Sequence, residues 1–119
     1  MPYMLIVDDE PDICECLSDF FSAKGFSVHC AFSGEDALHH LIERPPDVLL
    51  LDLRLPDIWG MDVLRRAKRL SPTTKVVVVS SLDHQEPKAE AKACGASGYV
   101  TKPFDFSEVT WASVLAELH

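Results

Sequence analysis

The sequence predicts a doubly wound α/β domain: a five-stranded parallel sheet, (βα)5, with helices on both faces. Two observations carry this. Short apolar runs alternate with helical stretches, and strands that alternate with helices imply parallel pairing through crossover helices. Two of the runs, VLLL at 48–51 and VVVV at 76–79, are apolar at every position, which marks strands covered on both faces. A chain of 119 residues fits one domain, 1–119.

Each element follows from local pattern. Tyr3–Val7 is a short apolar run and predicts a buried strand. Pro11 opens the first helix at a position that proline tolerates. Ile13, Leu17, Phe20 and Phe21 fall at helical spacing, and Gly25 predicts the C-terminal stop. Phe26, Val28 and Cys30 alternate with Ser27 and His29, the pattern of a half-exposed edge strand. Ser33, with Asp36 three residues on, predicts a capped second helix whose apolar face is Ala37, Leu38, Leu41 and Ile42. Pro45 and Pro46 stop it. Val48–Leu51 is the first central strand, Met61–Leu70 the third helix and Val76–Val79 the second central strand. Pro87–Cys94 predicts a weak fourth helix, poor in large apolar side chains and shortened by Pro87. Gly98–Thr101 is a fifth strand and Ser107–Leu118 a fifth helix.

Composition narrows the function. With 11 Lys and Arg against 19 Asp and Glu, the net charge is −8. That argues against nucleic-acid binding by this domain, since such affinity comes from basic groups on phosphates. It suits a cation or a basic partner. No apolar run approaches the ~20 residues that span a bilayer, and no secretory leader is visible, which points to a cytoplasmic protein. Met1 runs directly into the first strand, as at a natural start. Cys14, Cys16, Cys30 and Cys94 lack zinc-ligand spacing and read as free thiols.

In doubly wound sheets, ligands sit beyond the carboxyl ends of the strands. Here those ends hold Asp8, Asp9 and Glu10 after strand 1, Asp52 after strand 3, Ser80 and Ser81 at strand 4, and Lys102 and Pro103 after strand 5. Carboxylates on one rim repel unless a cation joins them, and a few hard oxygens with room for water suit Mg²⁺. A carboxylate beside Mg²⁺ can attack a phosphoryl group to give an aspartyl phosphate. An ammonium and a hydroxyl then offset and orient the phosphoryl oxygens.

These residues stand in LIVDDE (5–10), LLLDLRLPD (49–57), VVVVSS (76–81) and GASGYVTKPF (95–104). In that order and spacing the chain resembles the receiver domain of two-component response regulators, a flavodoxin-like fold, over essentially its whole length. The resemblance implies a phosphoprotein that takes its phosphoryl group from a histidine kinase or phosphotransfer protein. It implies a signalling domain, not an enzyme in its own right, that assists its own phosphoryl transfer and hydrolysis. Asp52 would be the phosphoacceptor. Asp8, Asp9, Asp52 and the backbone carbonyl of Arg54 would hold Mg²⁺. Ser80 would bind a phosphoryl oxygen, Lys102 would pair with the phosphoryl group, a cis bond would precede Pro103, and Tyr99 would be the aromatic switch. Trp59 departs from the family, which has a small or polar residue before the glycine.

The alternative of a pseudo-receiver that signals without phosphorylation conflicts with the intact Asp8, Asp9, Asp52, Ser80 and Lys102. A haloacid-dehalogenase-like phosphatase needs a second Asp where Arg54 stands. A flavin or nucleotide carrier needs a Gly- or Thr-rich loop where the chain has DDEPD.

Periodicity in the fifth helix predicts a contact surface. Phe106, Val109, Ala112 and Ala116 fall on one side, and Trp111, Val114, Leu115 and Leu118 on the other. The resemblance puts the Val109 side on the sheet. The Trp111 cluster would then face outward, on the surface of the fourth helix, fifth strand and fifth helix, as a homodimer or partner interface.

Overall fold

The computed structural model describes residues 1–118. Along the chain come β1 (Tyr3–Val7), α1 (Pro11–Lys24), β2 (Ser27–Ala31), α2 (Gly34–Glu43) and β3 (Val48–Leu51). They are followed by α3 (Gly60–Leu70), β4 (Lys75–Ser80), α4 (Gln85–Ala93), β5 (Gly98–Thr101) and α5 (Ala112–Leu115). The strands form one parallel sheet in the order β2-β1-β3-β4-β5, which is the doubly wound architecture the sequence predicts.

The sheet separates two apolar layers. Leu5, Val7, Leu49, Leu51, Val76 and Val78 face Ala37 and Leu41 of α2, Met61, Val63, Leu64 and Ala67 of α3, and Ala91 of α4. Met4, Ile6, Val48, Leu50, Val77 and Val79 face Cys14, Leu17 and Phe21 of α1 and Trp111 and Val114 near the C-terminus. Alternation along β1, β3 and β4 sends successive side chains to opposite layers, so these runs must be apolar throughout.

Local chemistry sets the helix ends. Pro11 opens α1, and Gly25 closes it at φ 118°, a left-handed conformation that suits glycine. The Ser33 hydroxyl accepts from the Asp36 N–H at 3.1 Å and caps α2. Pro87 does not shorten α4. The helix begins at Gln85, which leaves Pro87 in the first turn, where its missing N–H costs no helical bond.

Three further expectations fail. Ile42 is exposed and does not belong to the buried face of α2, which Ala37 and Leu41 supply. The fifth helix does not span Ser107–Leu118; α5 is the single turn Ala112–Leu115. Asp105 holds the preceding segment as turns: its carboxylate accepts from the Ser107 N–H at 3.0 Å and the Thr110 hydroxyl at 2.7 Å.

The third failure is the outward cluster. Trp111 and Val114 are fully buried, and Leu115 and Leu118 are half-buried against the same core layer. Instead Val109 is 88 % exposed, and Phe106, Ala112 and Ala116 lie at the surface. The Trp111 indole decides the rotation. It fills the space beside Phe21 and Phe104, edge-on to each with centroids 5.3 Å away, and its Nε1–H donates to the Asp105 carbonyl at 2.7 Å. Burying the largest apolar group with its polar atom satisfied outweighs burying Val109.

Candidate functional site

The sheet register builds the site. The Asp8 N–H donates to the Ala31 carbonyl at 3.1 Å and the Asp52 N–H to the Val7 carbonyl at 2.9 Å, so both carboxylates leave adjacent strand tips. Asp8 and Asp52 are 1 % and 5 % exposed, while Asp9 and Glu10 stand in solvent. Carboxylate oxygens of Asp8, Asp9, Glu10 and Asp52 all lie within 4.8 Å of one another.

Lys102 joins them from the end of β5. Its N–H donates to the Ser80 carbonyl at 2.9 Å, and the Lys102–Pro103 peptide bond is cis, as the resemblance implies. The Nζ donates to Asp8 Oδ2 at 2.6 Å, Asp52 Oδ2 at 3.0 Å and Glu10 Oε1 at 3.3 Å. Burial favours the neutral amine, but hydrogen bonds to Asp8 and Asp52 outweigh it and hold Lys102 above the ordinary lysine range. Burial pushes the Asp8 carboxyl above its usual value, against the pull of Lys102. The pocket therefore stores negative charge that one ammonium offsets only in part.

The loop after β3 completes the rim. Asp52 Oδ1 accepts from the Arg54 N–H at 3.1 Å, and Arg54 pairs with Trp59 in an antiparallel bridge that folds the loop back on itself. Trp59 is 43 % exposed at the start of α3. The Gly60 N–H then donates to the Leu53 carbonyl at 2.8 Å. A Cβ at Gly60 would overlap the backbone of Asp52 and Leu53. Gly60→Ala is therefore expected to cost about 1–3 kcal/mol, the range for overpacking, and to displace Asp52. Urea unfolding checks this, and an unchanged midpoint would show that the loop yields freely.

Ser80 is fully buried at the tip of β4. Its Oγ accepts from the Leu82 N–H at 3.3 Å, and the Tyr99 hydroxyl donates to the Leu82 carbonyl at 2.6 Å. Ser80 and Tyr99 thus share one short segment. Tyr99 is half-buried, and burial raises its phenol above the ordinary value. It borders a cleft of about 290 Å³ between α4 and β5, which Lys88, Ala91, Lys92 and Gly98 also line.

The structure brings Asp8, Asp9, Asp52, Ser80, Lys102 and the Arg54 backbone to one end of the sheet, with Tyr99 behind them. Trp111, Val114, Leu115 and Leu118 lie in or against the core and form no surface. Two residues take parts that the sequence did not assign them. Glu10, named among the strand-end carboxylates but given no role, adds a fourth carboxylate to the pocket and a contact to Lys102. Asp57 accepts from the Gly34 N–H at 2.8 Å and the Glu35 N–H at 2.9 Å, and these bonds hold its carboxyl below the usual range. It ties the loop after Asp52 to the start of α2, and no local pattern announces so distant a cap.

Comparison with known proteins agrees with this fold. Residues 4–112 match the family model described as the response regulator receiver domain. The chain is 40 % identical over 106 residues to the regulatory protein AtoC of Escherichia coli K12, covering 89 % of this chain and 23 % of that protein. It is 41 % identical over 108 residues to the transcriptional regulatory protein KdpE of Mycobacterium tuberculosis, covering 91 % of this chain and 47 % of that one. The chain thus spans less than half the length of these curated relatives. The BeF3-activated DrrB receiver domain superposes with a TM-score of 0.88 at 33 % identity, over 98 % of each chain.

Proposed function

Because this chain belongs to the response regulator receiver domain family, we propose that Asp52 is the residue that carries its phosphoryl signal. The observation that supports this most directly is the Lys102 ammonium, bonded at once to the Asp8 and Asp52 carboxylates at adjacent strand ends inside a four-carboxylate cluster. In the transfer, an Asp52 carboxylate oxygen attacks phosphorus. The new O–P bond forms as the bond to the donor breaks, and the donor is a phosphohistidine of a kinase or phosphotransfer protein.

Receiver domains bind Mg²⁺ at an acidic pocket, and the donors here fit it: they are hard oxygens, close together and partly open to water. Asp8, Asp9, Asp52 and the Arg54 carbonyl would hold the ion. When bound, it supplies positive charge that offsets the phosphoryl oxygens and the carboxylates around them. Lys102 follows Asp52 and pairs with the phosphoryl group. Ser80 turns its hydroxyl to a phosphoryl oxygen, which takes the acceptor away from Leu82. Leu82 then shifts with the Tyr99 hydroxyl bound to it, and the change reaches the cleft between α4 and β5. That cleft, not the buried Trp111 side of α5, is the surface offered to a partner or second copy.

The free thiols fit a reducing cytoplasm, and among the described residues no helix is long and apolar enough to cross a membrane. The test is incubation with Mg²⁺ and acetyl phosphate, read by intact mass. Wild type gains one phosphoryl group. Asp9→Ala, which removes an exposed carboxylate and leaves the core untouched, folds normally but binds Mg²⁺ poorly and gains none. Undiminished uptake by Asp9→Ala would remove Asp9 from the metal site.

A further inference from the structure

We propose that Cys14 and Cys30 are an oxidation site, forming a reversible disulfide that weakens cation binding at Asp8. The second half rests on the metal-holding role proposed for Asp8. The two cysteines come from different elements but meet in one layer. Cys14 lies on α1 and is buried. Cys30 lies on the edge strand β2, half-buried, in register with Ile6 and on the sheet face that α1 covers. The Cys30 thiol donates to the Cys14 carbonyl at 3.8 Å, so the two cysteines adjoin across the α1–β2 contact, in the same core layer. The Cys14 thiol also donates to the Asp8 carbonyl at 3.3 Å. The remaining cysteines are placed elsewhere. Cys16 bonds to Ile13 within α1, and Cys94 packs in the opposite layer.

The oxidant is a hydroperoxide that reaches Cys30 from the open edge of the sheet. The Cys30 sulfur attacks a peroxide oxygen. An S–O bond forms, the O–O bond breaks, and the thiol proton leaves with the departing oxygen as water or alcohol. The Cys14 sulfur then attacks Cys30. An S–S bond forms, the S–O bond breaks, and the released hydroxide takes the Cys14 proton to become water. Two electrons pass from the sulfurs to the peroxide. The disulfide has no S–H, so the Asp8 carbonyl loses its donor, and the bond draws the first turn of α1 toward β2. Both changes act on the strand tip that presents the Asp8 carboxylate.

The experiment treats the reduced protein with hydrogen peroxide, then maps its peptides without reductant and measures Mg²⁺ affinity by calorimetry. Wild type is expected to lose two hydrogens in mass and to give a linked Cys14–Cys30 peptide that dithiothreitol cleaves. Its Mg²⁺ affinity falls about twofold on oxidation, the factor carried by a hydrogen bond at the weak end of the usual range, as a thiol donor makes. The Cys16→Ser/Cys94→Ser double variant behaves as wild type. Cys30→Ser forms no link, and its affinity does not respond to peroxide. Absence of the linked peptide, a link to Cys16 or Cys94 in its place, or equal affinity in both redox states would overturn the proposal. A reduced wild type that binds no Mg²⁺ overturns the metal reading of Asp8 itself, and the peptide map then decides the thiol pair separately.

Discussion

For Asp52→Asn the expected result is a folded protein that takes up no phosphoryl group from acetyl phosphate and Mg²⁺. The loss should be on the order of a thousandfold or more, as for removal of a nucleophile. An amide has the same shape as the carboxylate, so the bond from the Arg54 N–H survives through the side-chain oxygen. What is lost is the charged oxygen that pairs with Lys102 and that, as the proposed acceptor, would attack phosphorus. The fold tolerates the change because Asp8, Asp9, Glu10 and Asp52 crowd one pocket, and one fewer charge relieves their repulsion. Intact mass after incubation, with circular dichroism as a control, reads both parts. A phosphoryl group still gained by Asp52→Asn would place the acceptor elsewhere.

The second large effect falls on stability. Trp111→Ala removes a fully buried indole from between Phe21 and Phe104 and leaves the Asp105 carbonyl without its donor. Such truncations cost about 3–5 kcal/mol, against a total of roughly 5–15 kcal/mol for a domain. Trp111→Phe keeps most of the apolar contact and loses mainly the hydrogen bond, about 1 kcal/mol. Urea unfolding followed by circular dichroism should rank wild type, Trp111→Phe and Trp111→Ala in falling order. An Ala variant within 0.5 kcal/mol of wild type, the range ordinary for exposed positions, would return Trp111 to the surface.

That same residue marks where the sequence misleads. The strands were legible because β1, β3 and β4 are covered on both faces, so their apolar content needs no knowledge of neighbours. Asp8, Asp9, Asp52, Ser80 and Lys102 were legible because a parallel sheet sends every strand end to one rim. The C-terminal segment was not. Its apolar residues lie on two sides of a helical projection, and choosing the buried side depends on the space that Phe21 and Phe104 leave open. The projection also assumed a long helix, which the Asp105–Ser107–Thr110 hydrogen bonds prevent from starting early. Asp57 escaped for a related reason: its partners, Gly34 and Glu35, are far away in sequence, and a lone aspartate in a loop reads as solvated.

The Asp57 bonds also give the domain unequal compliance. On one flank, Asp57 clamps the loop after Asp52 to the start of α2, and Gly34 backs so closely onto Ile58 that a Cβ there would overlap it. On the other flank, α4 buries a single alanine, Ala91, and its tie to α3 is an exposed Arg65–Glu90 ion pair, a weak anchor. If Asp52 carries the phosphoryl group as proposed, a push from it would meet an anvil on the α2 side and a soft spring on the α4 side. Displacement would run toward the spring. The direction in which a message leaves the pocket would then be set as much by the clamped wall as by Ser80 and Tyr99.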